Sequence, residues 1–222
     1  MYHHAMRFHT EERPGRRESY HHGNLREALI ASALLLIAEN GPAGFTFAEV
    51  ARAAGVSPAA PYRHFRDRNA LVAEIARRGF EQFAGDLERA WAGGKPDPVT
   101  AIENCGKAYL GFARREPAIY AAMFDSGVPF EQEPSLLVAS ERAFGVLRHA
   151  AEIACAIPSA TPGFVRPPAT MVALHIWSMS HGIAALFIGR SVAMRRRLPM
   201  TPEELLESGL LIYLQSLGLV RS

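Results

Sequence analysis

Thr46-Phe47-Ala48-Glu49-Val50-Ala51-Arg52-Ala53-Ala54-Gly55-Val56-Ser57-Pro58-Ala59-Ala60-Pro61-Tyr62-Arg63-His64-Phe65 is the run that decides how this chain folds. Thr46 with Glu49 three residues later is a capping box, opening a short helix whose inward residues are Phe47, Val50, Ala51 and Ala54. Gly55 stops that helix and permits the positive φ of a tight turn. Ser57-Pro58 then restarts a helix at once, Ser as N-cap and Pro at the first helical position. Pro61 falls within the first turn of this second helix, where its missing N–H costs little. Two helices joined so closely cross steeply, and Ala51 is the small residue that such a crossing needs. Spacing alone leaves two uses open. One is a plain αα-hairpin in a bundle, with Ser57-Pro58 acting only as a cap. In the other, the second helix lies in the major groove of DNA with its leading residues toward base edges. There the small residues Pro58, Ala59 and Ala60 let the backbone approach, and an Ala methyl can meet a thymine methyl. Ser57, Tyr62, His64 and the Thr46 cap supply hydrogen bonds suited to phosphate oxygens.

Working outward, the chain reads as all-α. Residues 1–22 are polar and carry Arg13, Arg16 and Arg17, a flexible basic arm. Asn24 with Glu27 reads as a capping box for a helix bearing Leu25, Ala28, Leu29, Ser32, Leu35 and Leu36, ended by Asn40-Gly41-Pro42. Asp67 caps a long helix carrying Leu71, Ile75, Phe80, Phe83 and Leu87, which runs to about Gly93-Gly94. Further helices are expected near 98–116, 117–125, 134–157, 167–190 and 201–218, separated by Pro and Gly breaks. At 222 residues and 49% hydrophobic content, the chain can bury a core, which excludes disorder as its main state. Basic charge gathers toward the N-terminus: 11 Arg against eight acids in residues 1–78, and 13 basic residues against 14 acids in the rest. That asymmetry suits an anionic partner at the N-terminal end.

Residues 23–71, and above all Phe47 to Phe65 with Asp67-Arg68-Asn69-Ala70-Leu71 following, resemble the N-terminal domain of TetR/AcrR-type transcriptional regulators. The resemblance implies an N-terminal three-helix helix-turn-helix domain (23–70). A long helix joins it to a C-terminal helical ligand-binding and dimerisation domain (71–222). It implies a homodimer on a double-stranded DNA operator, most simply a repressor released by a small-molecule effector. Arg68 stands where many relatives carry Lys, and both can meet a phosphate. Arg16 and Arg17 in the arm are further candidates for DNA contact, since such arms often follow a groove. The alternative is a helical small-molecule-binding or interaction protein whose N-terminal helix pair does not touch DNA.

In the C-terminal part, Trp177-Ser178-Met179-Ser180-His181-Gly182 resembles the Trp-His-Gly signature of one C-terminal subclass of these regulators. Trp177 and His181 share a helix face, either as a core pair or as ligand contacts, and Gly182 suggests a close helix–helix approach. Tyr109, Phe112, Tyr120, Met123, Phe124 and Phe144 are the remaining candidates for an effector pocket, which their scarcity of charge makes apolar or aromatic. Leu205, Leu206, Leu210, Leu211, Tyr213, Leu214 and Leu217 leave the last helix apolar on two faces, so helices 167–190 and 201–218 are the expected dimer surface. Arg190 and Arg195-Arg196-Arg197 form a basic cluster between them, read as a solvated loop. No catalytic elbow, phosphate loop or zinc-ligand pattern occurs, so no enzyme, metal or cofactor is expected. His175 and His181, six apart, face different ways. Cys105 and Cys155 read as small buried hydrophobes in a reducing compartment, with no basic neighbour beside Cys155 in the sequence. The absence of an apolar leader, and the His and Ser residues that interrupt Met171 to Ile188, point to a cytoplasmic protein off the membrane.

Overall fold

A computed structural model describes residues 15–159, 163–188 and 199–220, with the backbone alone described at 15–23 and 188. Eight α-helices occur among these residues: α1 (Gly15–Asn40), α2 (Phe47–Ala53), α3 (Arg68–Trp91), α4 (Pro98–Arg115), α5 (Pro117–Phe124), α6 (Pro134–Ala156), α7 (Ala169–Ile188) and α8 (Pro202–Ser216). Two short 3-10 turns, Pro61–Arg63 and Phe130–Gln132, precede α3 and α6. No strand occurs among the described residues.

α3 organises the molecule. Its N-cap carboxylate, Asp67, accepts from the Ala70 amide at 2.8 Å, satisfying one orphan donor of the first turn. Twenty-four residues give a rod about 36 Å long, enough to reach from one half of the chain into the other. Leu71, Val72, Ile75 and Ala76 are buried near its start, and Phe80, Phe83, Ala84 and Leu87 continue the stripe among α4, α5 and α6. Gly79 lets α5 lie against it: a Cβ there would stand 2.5 Å from Ile119 Cγ2 and 2.7 Å from Met123 Sδ. α4 opens on Asp97, which accepts from the Val99 and Thr100 amides, with Pro98 at the first helical position.

α1 starts at Gly15, not at Asn24, so the helix takes in the last part of the expected arm and Asn24 lies inside it. Residues 1–14, including Arg13, lie outside the described residues. The buried face of α1 is Leu29, Ile30, Ala33 and Ile37; Leu35, read as inward, is 67% exposed. Gly41 ends the helix at φ 82°, its amide on the Ile37 carbonyl.

An ion-pair cluster fastens α1 to α3. Arg78 holds both Glu27 carboxylate oxygens at 2.7 Å. Glu74 takes Arg77 and Arg78 at 2.8 Å each and Arg26 at 3.1 Å. Arg26 also lies 5.0 Å over the Phe65 ring. Burial would raise the Glu74 carboxyl, but the hydrogen bonds from Arg77 and Arg78 with the charge of Arg26 outweigh it and hold it at about 2.

α7 is long and apolar enough to cross a membrane by length and composition. Here it is a core helix, packed on α4, α6 and α8, with Val172, Ala173, Ile176 and Ala184 buried. Its Gly182 makes no close approach among the described residues, since a Cβ there meets nothing within 4 Å. The close approaches include Gly79 and Gly106, where a Cβ would meet Leu206 of α8 at 2.8 Å.

Candidate nucleic-acid interface and cavity

The Thr46 capping box forms as read. Its hydroxyl accepts from the Glu49 amide at 3.2 Å, and the Glu49 carboxylate accepts from the Thr46 amide at 2.7 Å. Phe47, Val50 and Ala51 turn inward, and Gly55 takes the turn at φ 70°. The segment after it differs from expectation. Residues 57–65 form successive tight turns around the 3-10 segment Pro61–Arg63, with Ala60 bonded to Ser57 and Arg63 to Ala60, instead of an α-helix capped by Ser57. The cause is chemical: Pro58, at the first helical position, has no rung to lose, but Pro61 has no N–H to donate to the Ser57 carbonyl, so the i→i−4 ladder fails at its first rung.

This geometry sorts the side chains. Ser57, Pro58, Ala59, Tyr62 and Arg63 are exposed, with His64 and Arg68 half-buried. Ala60, expected at the base edges, turns inward at 8% exposure beside the buried Pro61. Tyr62 rests its ring edge-on against Phe47 at 4.9 Å while remaining 62% exposed, so its phenol is aimed outward from a fixed base. Arg63, which residue-by-residue reading passed over, belongs to the same exposed edge; its place in the turn was the available signal. Thr46 is exposed nearby. Arg68 is tied inward, with its Nε donating to the Phe45 carbonyl at 3.0 Å and its guanidinium 4.6 Å over the Phe45 ring. Burial pushes its pKa down. Arg16 and Arg17 lie in the first turns of α1. Arg66, on the way to α3, pairs with Glu133 at 3.3 Å and joins this segment to the start of α6.

In the C-terminal part, the expected pocket residues converge, but mostly as core. Tyr109, Phe112 and Met123 are no more than 2% exposed. Trp177 packs against Phe83, Tyr109, Phe124 and Phe144 at centroid distances of 5.8, 5.4, 6.2 and 5.7 Å. Their edge-to-face contacts fill the space that a ligand would take. His181 completes the cluster: its Nδ1 lies 2.8 Å from the Tyr120 hydroxyl and 3.0 Å from that of Tyr109, and the two hydroxyls are 3.4 Å apart. Burial lowers the His181 pKa against the opposing charge of Asp125, and burial raises Tyr120 to about 12 and Tyr109 further still. At neutral pH the imidazole is uncharged and both phenols keep their protons.

Among the described residues, an open space lies to one side of this cluster. A cavity of about 380 Å³ is bounded by the last turn of α1 and Gly41-Pro42, by α5, by Asp125 and by α7. Of the eight expected ligand residues, Tyr120 and His181 border it; the other six stand behind them or elsewhere in the core.

Cys105 is buried as expected, and burial lifts its thiol to about 12. Cys155 is half-buried and does have a basic neighbour, because Arg166 reaches back to its carbonyl at 2.9 Å. Burial still raises its thiol over the opposing charge of Arg166. His175 points away from His181 and bonds Tyr213 at 2.8 Å. No group of three or more metal-ligating side chains occurs among the described residues. The Arg190 and Arg195–Arg197 cluster lies outside the described residues.

Two family models match, and they meet these two halves. Residues 29–75 match "Bacterial regulatory proteins, tetR family", and residues 102–211 match "Tetracyclin repressor-like, C-terminal domain". Both matched regions, residues 29–75 and 102–211, are tetR-family domains. The first match covers the helix-turn-helix half and the second the helical half that follows it. Among solved structures, a Rhodococcus sp. RHA1 protein of unknown function is 29% identical with a TM-score of 0.71, the match covering 93% of this chain and all of that one. PfmR, a TetR family transcriptional regulator from Thermus thermophilus, shares the fold at 20% identity and a TM-score of 0.64, over 87% and 99% of the two chains. AibR, solved with isovaleryl coenzyme A and operator DNA, shares it at 19% identity and a TM-score of 0.64, over 85% and 97%. The nucleoid occlusion factor SlmA of Aliivibrio fischeri is 32% identical over 124 residues. Those residues are 56% of this chain, which spans 59% of the length of that relative.

Proposed function

We propose that this regulator is a homodimeric repressor that grips a pseudopalindromic operator through residues 23–70 and releases it when residues 71–222 bind a small, mostly apolar molecule. The observation that carries the reading is the exposed edge Ser57-Pro58-Ala59-Tyr62-Arg63 held on a rigid base. In this arrangement Ala59 approaches base edges, while Ser57, Tyr62, His64 and Thr46 hold phosphates. Arg68 braces the domain from within and contributes its charge, and Arg16 and Arg17 add phosphate contacts from the start of α1. Dimerisation is supported by apolar groups that α7 and α8 leave at the surface: Met171, Leu174, Leu186, Leu211 and Ile212 are 42–65% exposed. Trp177, His181 and Gly182 on one core helix favour the Trp-His-Gly subclass. The protein acts in the cytoplasm, where its operator is, and without catalysis.

The test is selection of duplexes from a random pool, followed by mobility shift on the selected sequence. A two-fold symmetric motif with affinity falling steeply with salt is expected. Absence of any enriched motif, with tight binding of apolar molecules retained, would instead favour a helical carrier that does not bind DNA.

A further inference from the structure

Resting on the regulator reading above, we propose that the effector site is the cavity between α1, α5 and α7, and that it takes a small organic cation, an apolar body bearing a protonated amine. The aromatic centre of the C-terminal half is closed by its own rings, and beside it the described residues enclose a cavity of about 380 Å³ that is open to a ligand. That volume suits a molecule of roughly ten to fifteen heavy atoms, since ligands fill much of such pockets.

The polar groups on its wall set the chemistry. Asp125 stands exposed at the mouth and is the one charged side chain that the described residues give to the lining. Among those residues no Lys or Arg borders the cavity to neutralise a carboxylate or phosphate. A bound anion would therefore face an uncompensated like charge, and a bound ammonium an opposite one. Deeper in, the Tyr120 and His181 rings lie nearly parallel, 27° apart with centroids at 5.9 Å, offering an aromatic wall to a cation. Donor counting fixes the imidazole. Two phenolic protons need two acceptors, and the cluster supplies them only if Nδ1 accepts, which places the ring proton on Nε2. The ring thus stays neutral and does not repel the ligand. The rest of the lining is Ile, Ala, Gly and Pro.

The far wall gives the site its consequence. Ile37, Ala38, Gly41 and Pro42 belong to the end of α1, the helix that packs on α2 and is ion-paired to α3. A ligand here touches the DNA-binding half directly, without a relay through the bundle.

The experiment titrates the full chain, free of DNA, with 2-phenylethylamine and with phenylacetate, two probes of matched shape and opposite charge, by calorimetry at pH 7. The amine is expected to bind at least tenfold more tightly than the acid. Asp125→Asn should bring the two within threefold. Ala185→Trp, an exposed rim position that would fill the mouth, should abolish binding while helical content by circular dichroism is unchanged. Equal or tighter binding of phenylacetate, no binding of either probe, or undiminished amine binding by Ala185→Trp each overturns the proposal. Because no DNA is present, these outcomes are independent of operator selection, which tests the regulator reading alone.

Discussion

Replacing Tyr109 and Tyr120 by Phe, singly and together, probes the buried polar cluster of the regulatory half. Both hydroxyls reach the same nitrogen, at 3.0 and 2.8 Å, and they lie 3.4 Å from each other. A neutral Nδ1 has one lone pair, so one phenol can serve it well at a time. Removing either hydroxyl leaves the other in place, and each single change should cost about 1 kcal/mol, an ordinary hydrogen bond. Removing both leaves a half-buried ring nitrogen with no protein donor, which adds its desolvation penalty of about 1–3 kcal/mol. The pair should therefore cost more than the sum of the singles, by about 1 kcal/mol or more. The assay is urea unfolding of the four proteins at pH 7 and fixed protein concentration, assembled into a double-mutant cycle. Histidine-labelled nitrogen spectra of the wild type should show His181 as the neutral Nε2–H form. Additivity within about 0.3 kcal/mol, or a charged His181 at pH 7, would refute the shared-acceptor account.

Acid should loosen the α1–α3 junction in a defined window. Glu74 has a folded pKa of about 2, below the usual 4.5, so its stabilisation is complete above pH 4.5 and disappears as pH falls toward 2. The shift corresponds to about 3 kcal/mol, and screening of the roughly one-third-exposed Arg26 and Arg78 brings it to about 2. Glu74→Gln should flatten the stability profile between those pH values in chemical unfolding. Gly79→Ala gains about 1 kcal/mol of helix propensity and loses about 1–3 kcal/mol to overpacking against Ile119 and Met123, so a lower unfolding midpoint is expected. Arg63→Ala should lower the slope of log affinity against log salt by about 0.9 for one lost phosphate contact, measured by fluorescence anisotropy on any duplex. Ile212→Arg places a charge on the exposed apolar face of α8 and should shift the sedimenting species toward monomer.

Local signals were legible because they act over a few residues. The Thr46–Glu49 box, the Asp67 cap, Gly41 and Gly55 each fix a backbone group to a neighbour three or four positions away, and the amino acids themselves announce it. The helix boundaries from 98 onward followed from prolines and glycines in the same way. Two local readings failed for reasons equally local: Pro61 cannot donate the first rung of an α-helix capped at Ser57, and α1 begins ahead of its apparent cap at Asn24.

The chain's own order of residues thus determined that it is helical, where its helices break, and which short segment turns tightly after Gly55. Only tertiary structure decided which aromatics are packed core and which border open space. Tyr120 and His181 meet across 61 positions, and Arg66 finds Glu133 across 67. Such pairings depend on how whole helices cross, a consequence of the total burial they achieve together, and no periodicity within one helix encodes its neighbour.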